Sequence, residues 1–167
     1  MINKINKLSR SEFIKVFANI FENAGWIAKE LHNKKPFNNF EELSAKIINI
    51  FETATKEKQL KILNDHPDLA NKARISSLSP DSLKEQNSAG LENCTEKEFN
   101  EFKKLNDTYK KFGFPFILAV KGKTKTEILN NFKKRIYSDP ETEFNEAIKQ
   151  VKQIASVRLN ELNNKFF

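Results

Sequence analysis

His66 stands between Asp65 and Pro67 in the run Leu63-Asn64-Asp65-His66-Pro67-Asp68-Leu69-Ala70. A proline donates no backbone hydrogen bond and biases the residue before it away from the α region. His66 is therefore expected at an irregular helix junction, a place from which a side chain can be presented to a cleft. Further along, Ser82 and Glu85 follow Pro80, three residues apart. If that stretch is helical, the two share a face. An imidazole, a carboxylate and a hydroxyl can then converge, and the imidazole, which titrates nearest neutral pH, is the natural proton-transfer group. Each residue also has a plainer reading taken singly. Histidines are more often capping or core residues, and Ser-x-x-Glu is often a capping serine with a surface glutamate.

Other stretches carry two readings as well. Arg158 falls in the apolar register of Ile154-Ala155-Ser156-Val157-Arg158-Leu159. A charge there needs either a partner or a stem that packs while its head reaches water. The segment Phe112-Gly113-Phe114-Pro115-Phe116-Ile117-Leu118-Ala119-Val120 is too short and too apolar for a surface helix. It reads as a buried, partly extended connection whose backbone N–H and C=O groups must find partners. Asp65, His66 and Asp68 lack the histidine spacing of a metal site. No glycine-rich phosphate loop is present. His32, in a lysine-rich helix end, reads as a solvated surface residue, and Cys94 as a small residue without catalytic context.

The elements that must position these groups are helical. Four glycines in 167 residues and no alternating Val/Ile/Thr runs argue against a sheet. Capping boxes are expected at Ser9-x-x-Glu12, Thr95-x-x-Glu98 and Thr124-x-x-Glu127. The first opens a helix with Phe13, Phe17, Ile20 and Phe21 on one face, which Gly25 should interrupt before Trp26, Ile27 and Leu31 continue. Residues 33–39, with Pro36, read as a loop. Further helices are expected over 40–54 and 55–63. The stretch 76–79 reads as loop, with Pro80 in the first turn of the helix carrying Ser82 and Glu85. The helix opened at Thr95 should end at Gly113, and Asp139-Pro140 should start the last one, with Phe144, Ala147, Val151, Ile154, Val157 and Leu159 inward. The expected fold is all-α: one domain over 1–167, a bundle of about eight helices with a short irregular buried connection near 112–122.

Composition excludes several function classes. The formal charge is +7, yet lysines are mixed with glutamates along nearly every segment. That pattern reads as a solvated surface rather than a nucleic-acid footprint. The single cysteine rules out an intrachain disulfide and suits a reducing compartment. No stretch approaches the roughly 20 apolar residues of a membrane span. A cytoplasmic protein is expected.

The run His66-Pro67-Asp68-Leu69-Ala70, followed by Ser82-x-x-Glu85-Gln86-x-x-Ala89-Gly90-Leu91 and Phe112-Gly113-Phe114-Pro115-Phe116-Ile117, resembles the signature of the OHCU decarboxylases. The resemblance implies cofactor-free decarboxylation of 2-oxo-4-hydroxy-4-carboxy-5-ureidoimidazoline to (S)-allantoin, the last step from urate. It implies His66 and Glu85 as catalytic residues. Pro67, Ser82, Gln86, Arg158 and the main chain of Ile117, Leu118 and Ala119 are implied as substrate-binding. Arg135 matches a family position but reads as structural. The resemblance also implies a homodimer, no metal, and urate oxidase and 5-hydroxyisourate hydrolase as pathway neighbours. The departures lie in the lysine and asparagine enrichment and in Arg135-Ile136-Tyr137-Ser138-Asp139, away from the proposed chemistry. A relative turned to another small heterocyclic acid and a basic helical binding domain are the competing readings.

Overall fold

The computed structural model describes residues 2–71 and 78–166, and every regular element among them is helical. In chain order the α-helices are α1 Ile2–Lys7, α2 Arg10–Phe17, α3 Gly25–His32, α4 Phe40–Glu52, α5 Lys56–Asp65, α6 Pro80–Ser88, α7 Glu96–Tyr109, α8 Lys125–Arg135 and α9 Pro140–Phe166. Short 3-10 turns, Leu91–Asn93 and Lys110–Phe112, flank α7. The all-α expectation holds. Of the loop expected over 76–79, residues 76 and 77 lie outside the described residues.

Helix starts are where the sequence is most legible. The Ser9, Thr95 and Thr124 hydroxyls each accept from the backbone N–H three residues on, at 3.3, 3.2 and 3.3 Å. Glu12, Glu98 and Glu127 return the bond to the cap N–H at 2.9, 2.7 and 2.7 Å. These reciprocal bonds satisfy donors that a helix start leaves without intrahelical partners. The Ser9 hydroxyl and N–H hold the Glu12 carboxyl below its ordinary range. The Thr95 N–H, followed by Lys125, does the same for Glu98, and the Thr124 N–H and hydroxyl for Glu127. A depressed folded value stabilises above the unfolded pKa and is lost as pH falls through the folded one. Thr124→Ala is expected to lower stability by about 1 kcal/mol. Urea denaturation would show this as a lower midpoint at unchanged slope.

Contacts divide the chain into two compact units, Met1–Ile62 with Lys152–Phe167, and Leu63–Val151. In the first, α2, α3 and α4 bury the aliphatic and aromatic faces that their periodicity predicts. Phe13, Ile27, Leu31, Leu43, Ile47 and Phe51 are nearly inaccessible. Phe13 and Phe17 rings meet at 4.6 Å and Phe21 and Phe51 at 5.0 Å. Two differences from expectation stand out. Helix α2 ends at Phe17, before the Ile20 and Phe21 expected on its face, and the break over 18–24 contains Asn23 at φ 49, while Gly25 begins α3 instead of interrupting a helix. Asparagine is among the few residues that enter the left-handed region at low cost. His32 is half-buried against the edge of Phe13 at 5.4 Å, so it is packed instead of solvated. Helix α1 takes the count to nine α-helices among the described residues, against about eight expected. At six residues it is too short for periodicity to reveal. It is tied down from outside, by Asn6 Nδ2 donating to Phe37 O at 2.8 Å and Asn6 Oδ1 accepting from Phe37 N at 2.9 Å.

The second unit holds the end of α5, helices α6 to α8, the start of α9, and the connection after Gly113. Its core is aromatic. The Phe116 ring stacks on Phe132 at 3.8 Å, and Tyr109 meets both edge-on, at 5.4 and 5.7 Å. Such edge-to-face pairs add to the energy of burial alone. No helix among the described residues is long and apolar enough to cross a membrane.

Candidate active site

Helix α5 stops at Asp65, one residue before His66, as the proline after it dictates. The His66 N–H still reaches Leu63 O at 3.2 Å, so the histidine closes the last turn without continuing the helix. It is 9% exposed and lines a cleft of about 750 Å³. The other described walls are Asn64, Asp68 and Asn71 beside it, one face of α7 from Phe99 to Asp107, Lys110 in the turn after it, and Gly113 to Pro115. A small polar heterocycle fits such a volume with room to spare.

The backbone after His66 is clamped from two helices. From α6, Gln86 Nε2 donates to Asp68 O at 3.3 Å and Gln86 Oε1 accepts from Ala70 N at 3.1 Å. From α7, Asn106 Nδ2 donates to Leu69 O at 3.0 Å. Ala70 sits at φ 51, in the left-handed region where a non-glycine residue is uncommon. These bonds help to hold that turn, and with it the histidine that begins it. Asn106→Leu keeps the volume but strands the Leu69 carbonyl. It is expected to cost about 1–3 kcal/mol, read by chemical denaturation.

Ser79 caps α6, accepting from Ser82 N at 3.2 Å, and Pro80 occupies the first helical position. The helix presents Ser82 and Gln86 inward, at 4% and 7% exposure, with Glu85 half-buried on the adjoining face. Of the residues expected at the site, only His66 lines the cleft; Pro67, Ser82, Glu85, Gln86, Ile117, Leu118 and Ala119 are not among its described walls. The structure brings Gln86 to the His66 turn through the two bonds above, and Gln86 thereby acts on the backbone. His66, Ser82 and Glu85 each have interaction partners within the fold. Among the described residues no group of three His, Cys, Asp or Glu side chains is placed to hold a metal ion.

The irregular connection is where expected, and its backbone needs are partly met by the protein. Gly113, at φ 80, ends the 3-10 turn after α7. From there Phe114, Phe116, Ile117, Leu118 and Val120 are buried. Arg135 Nη1 donates to Ile117 O at 2.7 Å, and the Ala119 N–H donates to Gln150 Oε1 at 2.9 Å. Two of the main-chain groups that the family resemblance offers to substrate are thus already taken. Arg135 is engaged within the fold. Its Nε donates to Glu143 Oε1 at 2.8 Å, and its guanidinium lies 4.5 Å over the Phe116 ring. Tyr109 also donates to Glu143 Oε1. Burial and that carboxylate push the Tyr109 phenol far above its usual range, so it stays a protonated donor.

Arg158 belongs to the other unit. It is 7% exposed, so the side chain is buried and not a packed stem with a solvated head. Its Nη1 donates to Asn19 O at 3.0 Å and to Glu22 Oε2 at 3.2 Å. Glu22 is the partner that the sequence did not reveal, because it lies 136 residues away. Asn106, Glu143 and Gln150 were likewise missed. The available signal was a polar side chain inside an apolar stripe: Asn106 between Phe102, Leu105 and Tyr109, and Glu143 and Gln150 among Ala147, Val151 and Ile154.

The sequence model of the OHCU decarboxylase family matches residues 6–160. A uric acid degradation bifunctional protein of Bacillus sp. strain TB-90 is 40% identical over 162 residues, which is 96% of this chain and 32% of that protein. The chain thus spans about a third of that relative's length. The 2-oxo-4-hydroxy-4-carboxy-5-ureidoimidazoline decarboxylase of Haloferax volcanii is 34% identical over 161 residues, covering 96% of this chain and 94% of its own. A crystal structure of an (S)-allantoin synthase superposes with a TM-score of 0.77 at 27% identity, over 97% of this chain and 54% of that one. From α1 into α9, the chain belongs to the OHCU decarboxylase family.

Proposed function

We propose that this chain, acting as one domain, decarboxylates 2-oxo-4-hydroxy-4-carboxy-5-ureidoimidazoline to (S)-allantoin without a cofactor. The observation that carries the reading is His66, held by Pro67 and a clamped turn at the wall of a cleft of about 750 Å³, in a chain of this family. The substrate bears its carboxylate on a ring carbon that also carries a hydroxyl, beside the carbon holding the ureido group. Breaking the bond to CO2 leaves an electron pair that the neighbouring imine and carbonyl groups delocalise. His66 takes the hydroxyl proton or delivers one to the ureido-bearing carbon. Delivery to one face sets the (S) product.

Glu85 and Ser82 orient the hydroxyl and ureido ends, with Pro67 and Gln86 beside them. The main chain at Ile117 to Ala119 holds ring groups through fixed dipoles, which stabilise developing charge without reorganising. The assignment of Arg158 to substrate rests on the family pattern, since its guanidinium is engaged by Glu22 and Asn19. The protein works in the cytoplasm as a homodimer, downstream of urate oxidase and 5-hydroxyisourate hydrolase.

The test generates the unstable intermediate in place from urate with those two enzymes and follows its carbon resonances by NMR. Prompt consumption on adding this protein supports the reading. Decay at the spontaneous rate overturns it.

A further inference from the structure

The polar groups around Leu118 are distributed unevenly. Arg135 occupies the Ile117 C=O, and Gln150 occupies the Ala119 N–H. In a trans peptide the C=O and N–H point in opposite directions. The Leu118 N–H, which shares a peptide unit with the Ile117 C=O, is therefore directed away from Arg135. By the same geometry the Leu118 C=O is directed away from Gln150. Leu118 is only 5% exposed, and neither of its main-chain groups has a hydrogen-bond partner among the described residues. Buried backbone groups are almost always paired, so an unpaired donor and acceptor on one residue call for an explanation. The segment that carries them begins at Gly113, Phe114 and Pro115, in the wall of the His66 cleft.

The two flanking contacts are themselves held. Glu143 fixes the Arg135 fork, and the Phe116 ring lies beneath it. Gln150 Nε2 donates to Glu146 Oε1 at 2.7 Å, which sets its amide with the oxygen toward Ala119. A cationic donor on the Ile117 carbonyl also polarises that peptide, making the Leu118 N–H a stronger donor.

We infer that Arg135 and Gln150 are positioning residues: by claiming the outer groups of the Ile117–Ala119 main chain, they leave the Leu118 N–H and C=O to read a matching donor–acceptor edge of the substrate. That edge is an amide or ureide, with a carbonyl oxygen beside an N–H. The inference rests on the decarboxylase reading and extends it to selectivity. A heterocycle lacking one of the two groups leaves a buried peptide group unpaired and is rejected.

The test compares the wild type with Gln150→Met, in which the acceptor for Ala119 is lost and the side-chain length is kept. A double exchange, Glu146→Gln with Gln150→Glu, restores both bonds: the Ala119 N–H again donates to the side chain at 150, and only the bond between 146 and 150 reverses donor and acceptor. KM for the intermediate generated in place should rise about tenfold or more in Gln150→Met, the worth of one buried hydrogen bond, and return toward wild type in the double exchange. A merely structural role lowers the active fraction, and so kcat, with KM unchanged. In parallel, the assigned Leu118 amide resonance of 15N-labelled wild type is followed during titration with (S)-allantoin. A downfield shift of that proton is expected. An unmoved Leu118 amide, or a Gln150→Met KM within about twofold of wild type, overturns the inference. Failure of the wild type to speed decarboxylation at all instead overturns the reading beneath it.

Discussion

Replacing His66 with alanine or asparagine is expected to lower kcat by about 10²- to 10⁴-fold, the range supplied by one positioned proton-transfer group. Far-UV circular dichroism should stay that of the wild type. The reasoning starts from the backbone. Pro67 ends α5, the His66 N–H donates to Leu63 O, and Gln86 and Asn106 pin Asp68, Leu69 and Ala70. None of those bonds uses the imidazole, so each of them is kept when it is removed. Asparagine is the sharper variant. It keeps a polar side chain that can donate and accept but cannot carry a proton through the reaction near neutral pH. Turnover of His66→Asn near the wild-type rate would remove His66 from the chemistry.

Glu143→Ala is expected to destabilise the protein by about 3–5 kcal/mol, because it strands a buried arginine. Glu143 is fully buried, and its Oε1 accepts from Arg135 Nε, Arg135 Nη2 and the Tyr109 hydroxyl. Oε2 has no partner among the described residues, so one oxygen carries the whole network. Deleting the carboxylate leaves the guanidinium with Ile117 O and the face of Phe116, and leaves the phenol unpaired. Glu143→Gln keeps an acceptor and loses the charge, so its cost should fall between wild type and alanine. Urea denaturation gives all three values. An alanine variant within about 1 kcal/mol of wild type would mean that the pair contributes no net stability, as some buried ion pairs do.

The fold was legible where four consecutive residues decide it. Capping boxes at Ser9, Thr95 and Thr124, and the prolines at 80 and 140, are local devices, and the helices begin where they say. Helix α1 escaped because six residues carry no readable period, and its anchor is Phe37, 31 residues away. In α9 the periodicity located the buried stripe, yet apolar reading filled it with Phe144 and Val157. Both are only half-buried, while Glu143, Gln150 and Arg158 take fully buried places. Those three are admitted by partners on other elements: Arg135 and Tyr109, Ala119 N–H, and Glu22. Pairings between separate elements leave no local mark.

The site was legible in pieces. Proline placed His66 outside a helix, and the i, i+3 spacing placed Ser82 and Glu85 on α6. The reason to group them, and to attach Leu118 and Arg158, came from the family pattern. The α7 wall of the cleft was invisible, since Asn100, Lys103, Asp107 and Lys110 alone read as an ordinary solvated face. Residue types do not disclose that His66 lies across from them.

The most direct measurement is the optical activity of the allantoin formed when this protein is added to urate with urate oxidase and 5-hydroxyisourate hydrolase. The account predicts rapid growth of the (S) signal, lost when His66→Asn replaces the wild type. Slow racemic allantoin, at the same rate with and without the protein, would contradict it.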